Sequence, residues 1–156
     1  SGGASISGSN GNYNLTVNGS GNEITVTVTA AGKNMGTTKF RVRDIPDPNP
    51  MLGGIENKGI AIPAPALCAQ NRILATLGRD FAYNLPFAVT QYRFIYQKRN
   101  RPPVVLNGNG SALTGQMKGL ICNAKSGDRI YIENIKARNS EYGFVKKVAP
   151  MSITVK

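Results

Sequence analysis

The residues able to carry chemistry are few, and their spacing argues against catalysis. The 156-residue chain has no histidine. That removes Ser-His-Asp and Cys-His arrangements and the commonest transition-metal ligand. Eight carboxylates remain. Asp44 and Asp47 are close in sequence but lie on a proline-rich segment, where a structural turn is the expected role, and neither has calcium-loop spacing. Asp128 follows Gly127 at a strand entrance, which suits a side-chain-to-backbone turn bond. Glu133 falls inside a predicted strand, where pairing with a neighbouring cation is expected. No Walker-type loop is present, and no Gly-x-Gly-x-x-Gly opens a helix. No serine is marked out by its setting for a Ser-Lys dyad. No catalytic residue, cofactor or metal is assigned.

The basic residues are the more informative set. The formal charge is +11. Residues 1–89 hold 7 basic and 5 acidic groups, and residues 90–156 hold 12 basic and 3 acidic groups, so the excess lies in the second half. A field of that sign steers acidic partners; it also keeps a protein soluble. Lys98, Arg99 and Arg101 cluster at a strand end, and Lys136, Arg138, Lys146 and Lys147 flank the last predicted hairpin. These seven are the candidate partner-binding residues. Tyr92, Phe94 and Tyr96 lead into the first cluster, a pattern met in single-strand nucleic-acid readers and more often in the core face of a sandwich. Nucleic acid is therefore not the expected partner. Cys68 and Cys122 fit no metal or redox spacing. One bridge in an oxidising compartment and two buried thiols are both open.

The elements that must position these groups are mostly strands. Residues 1–45 read as a meander of about four strands. Tyr13, Leu15 and Val17, then Ile24, Val26 and Val28, then Phe40 and Val42 alternate with polar residues, the period of a strand with one face buried. Turn chemistry at Asn10-Gly11, Asn18-Gly19, Gly21-Asn22 and Gly32 separates them. This resembles half of an immunoglobulin-like sandwich, and alone it would expose an apolar face and open edges. Residues 46–54, with Pro46, Pro48 and Pro50, predict a stiff connector unable to continue a ladder.

Residues 55–156 predict a second β-sandwich with one or two short helices. Gly59–Pro63 reads as a strand. Leu67, Leu74 and Leu77 predict a helix closed by Gly78. Phe81, Tyr83, Leu85 and Phe87 alternate, as do Tyr92, Phe94 and Tyr96, with a one-residue shift between the runs that predicts a bulge or corner. Further strands follow at 102–106, 129–135, 144–148 and 151–155. Asn107-Gly108-Asn109-Gly110 predicts a turn, and Leu113, Met117, Leu120 and Ile121 one helical face. The expected fold class is mainly β. The start, Ser-Gly-Gly-Ala, lacks an initiator Met, so an upstream signal or anchor is compatible with the sequence.

An ordered series of segments resembles the GldM/PorM family of type IX secretion and gliding motility. The junction from Met35 to Pro48 is similar to that between its last two periplasmic domains. Leu67–Ala75, Gly127–Ala137 and Lys147–Ile153 are similar to its C-terminal domain. The resemblance implies that residues 1–45 are later strands of the third periplasmic domain and 55–156 the fourth. It implies a periplasmic homodimer anchored in the inner membrane by an N-terminal helix, and a GldL/PorL-type membrane partner at that helix. It implies GldK/PorK- and GldN/PorN-type ring proteins at this end, and motion transmitted to them. The family offers no catalytic motif, and no Cys68–Cys122 bridge is implied. The alternative is a module for an anionic ligand: an acidic glycan, a lipid headgroup or nucleic acid.

Overall fold

The computed structural model describes residues 4–17, 23–56, 59–78, 81 and 83–156. The expected turns at Asn18-Gly19 and Gly21-Asn22 lie outside them. The described residues are mostly strand, as the alternation predicts, and they divide into two compact units, 1–45 and 46–156.

The first unit is two hairpins. β1 (Ala4–Ser9) pairs with β2 (Asn12–Val17), and β3 (Glu23–Ala30) pairs with β4 (Lys33–Arg41), in separate two-stranded sheets rather than one meander. The tight turns use left-handed backbone at Asn10 and Gly11, then at Ala31 and Gly32. Ile6, Tyr13, Val28, Met35 and Phe40 are each more than half exposed. The alternation is therefore present without a buried face.

The second unit is β-sandwich-like. In chain order it contains β5 (Asn49–Leu52), β6 (Ile55–Glu56), β7 (Ala61–Ile62), α1 (Ala64–Cys68) and β8 (Ile73–Thr76). Then come β9 (Phe87–Gln97), β10 (Val104–Asn109), α2 (Gly115–Cys122), β11 (Arg129–Asn139), β12 (Val145–Lys147) and β13 (Met151–Val155). The sheet order is β6-β5-β8-β9-β11-β13-β7, with β10 on β9 and β12 on β11. The antiparallel β9–β11 pair spans the unit. Near Phe87 it carries β8 and β12; towards Gln97 it carries β10 and β13.

The expected irregularity lies at the centre of this pair. Arg93 faces Glu133, Gln91 faces Lys136, and Val89 faces Ala137. Over the first step β11 advances three residues to two on β9; over the second β9 advances two to one on β11. Each strand thus holds one extra residue, and the register is restored beyond the two bulges. The buried side flips in both strands: Val89 gives way to Tyr92, Phe94 and Tyr96, and Ile130 and Ile132 to Ile135, Ala137 and Asn139. Asn134 takes left-handed backbone (φ 52°) at the β11 bulge. The Thr90 hydroxyl donates to the Lys136 carbonyl (3.2 Å), fastening the two strands.

Four local expectations are corrected. The helix expected up to Gly78 stops at Cys68. The Gln70 side-chain amide turns back to the Ala66 carbonyl (3.0 Å), and Ile73–Thr76 instead pairs with β5, burying Ile73 and Ala75. Sheet pairing overrides the leucine spacing. The proline segment read as a connector contributes β5. The Gly53 N–H bonds the Arg72 carbonyl, so by alternation the backbones of Met51 and Asn49 face β8 and that of Pro50 faces away. β6 reaches only Met51 and Leu52, so Pro50's missing N–H removes no ladder bond.

The turn expected at Asn107–Gly110 is a strand as far as Asn109. Gly108 packs on the Tyr92 ring: a Cβ there would lie 2.1 Å from Cζ. The chain bends at Gly110 (φ 83°). Finally, Phe81 and Tyr83 are not in a strand; their rings meet edge to face at 6.0 Å, and β9 starts at Phe87.

The two helices pack against each other. Thr114 caps α2, accepting from the Met117 N–H (3.3 Å), and α2 buries Met117 and Ile121. α1 buries Leu67. The last residues of the helices, Cys68 and Cys122, form a disulfide, which decides the question the spacing leaves open. The bond spans 54 residues of sequence, a loop whose closure in the unfolded chain is worth about 4 kcal/mol in the chain-entropy account. Replacing both cysteines by serine is expected to lower unfolding free energy by roughly 2–4 kcal/mol, read by urea denaturation of oxidised parent and variant. Gly108→Ala is expected to cost about 2 kcal/mol in the same assay, because Tyr92 is buried and its hydroxyl is held by the Ala112 carbonyl at 2.7 Å.

Candidate partner-binding surface

The structure does not bring the seven candidate cations together. Lys98, Arg99 and Arg101 lie in the β9–β10 connection, beside the start of β11 at Arg129. Lys136 and Arg138 lie beyond the bulges on β11, with Lys146 and Lys147 opposite on β12. Lys136 lies seven steps along β11 from Arg129, roughly 20 Å at strand rise.

Within the first group the backbone does much of the binding. Asp128 is 4% exposed. Its carboxylate accepts from the Lys125 N–H (3.0 Å), the Arg99 N–H (3.4 Å) and the Tyr96 hydroxyl (2.5 Å). Burial works against its charge, but the Lys125 bond, the Tyr96 and Arg99 bonds and the nearby Lys98 charge together hold its carboxyl below the ordinary range. Burial, the bond to Asp128 and that charge push the Tyr96 phenol far up. Asp128 is thus a tie between the β9 end and the turn before β11, the role its position after Gly127 suggested. The side chain of Gln97 adds bonds to the Lys98 and Arg101 carbonyls at 3.0 and 2.7 Å.

The second group is divided by strand parity. Lys136, Arg138 and Lys147 are exposed. Lys136 and Lys147 are directly opposite each other, as are Arg138 and Val145, so all four share the outer face. Lys146 points the other way and pairs with Asp47 at 3.5 Å. Arg138 Nε donates to the Gly143 carbonyl (3.0 Å), which engages it in the β11–β12 turn. Asn139, which the sequence reading missed, organises that turn. It is buried, accepts from the Glu141 and Tyr142 N–H groups at 3.1 and 2.7 Å, and donates to the Pro86 carbonyl at 3.1 Å. The sequence signal for it is an Asn followed by Ser-Glu-Tyr-Gly at a strand end, an Asx-type turn.

Glu133 pairs with Arg93 at 3.3 Å, as its strand position suggests. The depression lined by Gln91, Arg93, Asn107, Gly108, Asn109 and Asn134 collects amides and one paired cation, with no carboxylate aimed into it. Among the described residues no group of three metal-ligating side chains is found, and no helix is long and apolar enough to cross a membrane. For Asp128, the sign follows from its lowered pKa: the stabilisation is complete above the unfolded-state pKa and is lost as pH falls through the folded one. Asp128→Asn is expected to cost about 2 kcal/mol at pH 7 and to flatten the loss of stability in acid, measured by urea titrations between pH 7 and pH 2.

No curated protein matches the chain. A family model, the GldM C-terminal domain, matches residues 45–156, which takes in the whole second unit with its bulged β9–β11 pair, its bridged helices and its cationic β11–β12 face. The chain therefore belongs to the GldM C-terminal domain family, a component of the gliding motility and type IX secretion machinery.

Proposed function

We propose that this chain is a non-catalytic, periplasmic part of that machinery, passing motion from an inner-membrane motor to ring proteins near the outer membrane through protein–protein contacts. The observation that carries it is the family match over residues 45–156. The geometry supports it. The β9–β11 ladder, eleven residues in each strand, runs through the second unit, and a load on one end is borne by backbone bonds along its length. Close-packed interiors have little internal give. The described carboxylates of this unit include Asp128 and Glu133, both engaged in structural bonds.

The disulfide supports an oxidising compartment, as a periplasmic location requires. The exposed apolar residues of the first unit support association with a second copy of the chain, the homodimer of this reading. Inner-membrane anchoring and a GldL/PorL-type partner belong to a segment outside this sequence.

The test uses the whole 156-residue chain immobilised on a sensor surface, with purified GldK/PorK- and GldN/PorN-type ring proteins in solution. Saturable binding to at least one is expected, weakening between 50 and 500 mM salt because Lys136, Arg138 and Lys147 are exposed cations. No binding at low salt overturns the ring-protein reading.

A further inference from the structure

The face shared by β11 and β12 carries a local conflict. Lys136 and Lys147 are a cross-strand pair. The Val148 N–H bonds the Ile135 carbonyl (3.0 Å) and the Asn139 N–H bonds the Phe144 carbonyl (2.9 Å). By alternation Lys136 and Lys147 are then a non-hydrogen-bonded pair, in which side chains approach most closely. Like charges there are unfavourable. Among the described residues neither lysine has a carboxylate within ion-pair distance.

The same alternation identifies which backbone groups face outward. Phe144, Lys146 and Val148 turn their N–H and C=O groups to β11. Val145 and Lys147 turn theirs to the other edge, where β12 has no paired strand among the described residues. Val145 is 57% exposed on the same face as the lysines. The outward edge, the exposed Val145 and Lys147 fall within the three residues of β12, and Lys136 lies across from Lys147 on β11.

We propose that the β12 edge takes an extended acidic segment of a partner protein as an added strand. The Val145 and Lys147 backbones supply the ladder, Lys147 and Lys136 receive a carboxylate, and Val145 packs an apolar side chain two residues away. This rests on the reading of the unit as a protein-gripping module. Lysines on an edge repel a second copy of that edge; they admit a strand of opposite charge. The complementary pattern is acidic-x-apolar-x-acidic in extended form, which excludes most neutral strands. Arg138 widens the positive field without leaving the Gly143 carbonyl.

The experiment titrates the 15N-labelled chain with the peptide Gly-Thr-Glu-Thr-Val-Thr-Glu-Thr-Gly, and separately with its Glu→Lys counterpart and with phosphatidylglycerol vesicles. Expected are shifts and slowed hydrogen exchange at the Val145 and Lys147 amides with the acidic peptide alone. Val145→Pro removes an outward N–H without touching the β11 ladder, and Lys136→Glu with Lys147→Glu reverses the charge. Each is expected to weaken binding at least tenfold, with near-ultraviolet circular dichroism confirming the fold. The proposal is overturned by no shift at these amides up to millimolar acidic peptide, or by equal binding of the lysine peptide. Binding that survives Val145→Pro while charge reversal abolishes it also overturns it, leaving an anion patch without strand addition. So does association with the vesicles in place of the peptide. Ring-protein binding that ignores both variants sinks this inference and leaves the proposed function standing; peptide binding without ring-protein binding does the reverse.

Discussion

Strand side chains alternate with a period of two, so an uninterrupted strand can bury only one parity of residue on a given side. β9 and β11 bury odd positions at one end and even positions at the other, with the parities exchanged between them. A bulge in one strand alone would flip that strand and leave its partner out of register. Opposed bulges around Thr90 and Asn134 flip both and bring Val89 and Ala137 back into pairing. Tyr92, Phe94, Ile130 and Ile132 reach the core on one side of the bulges, and Ile135, Ala137 and Asn139 on the other. The strands that dock along this pair depend on it for their own buried faces.

The two ends of β11 are each held by a buried polar side chain, Asp128 and Asn139. Asp128 accepts from Lys125, Tyr96 and Arg99 at one end of β11, and Asn139 accepts from Glu141 and Tyr142 and donates to the Pro86 carbonyl at the other. Among the described residues no buried side-chain polar atom lacks a partner. The short helices add Leu67, Met117 and Ile121 to the core, and their disulfide ties segments distant in sequence. A body held in this way presents its remaining chemistry outward, on the charged faces of β11 and β12.

That outward chemistry is sorted by strand geometry more than by composition. Lys146 and Lys147 are neighbours in sequence, yet one pairs with Asp47 and the other shares a face with Lys136. Arg138 is exposed but engaged with the Gly143 carbonyl. Among the described basic residues of the second half, Arg93 and Lys146 thus enter ion pairs, Arg138 is tied to a turn carbonyl, and Lys136 and Lys147 face each other across β11 and β12.

The sequence by itself determined the mainly-β class, the strand entries at Arg129 and Met151, the α2 face of Met117 and Ile121, and the register shift near Thr90. In each case a local period or turn residue carries the information. It also placed Asp128 and Glu133 in structural roles, because their settings are local. The fate of Leu74, of Pro50 and of Asn107–Asn109 was decided by tertiary structure. Each can be helix, connector or turn alone, and each becomes strand because a partner strand is there to pair with it. The Cys68–Cys122 bond was settled the same way, since 54 residues of sequence say nothing about distance until α1 and α2 pack together. The separation of the two cation groups follows from the length of β11, and the Lys136–Lys147 conflict from a pairing register that no local pattern encodes.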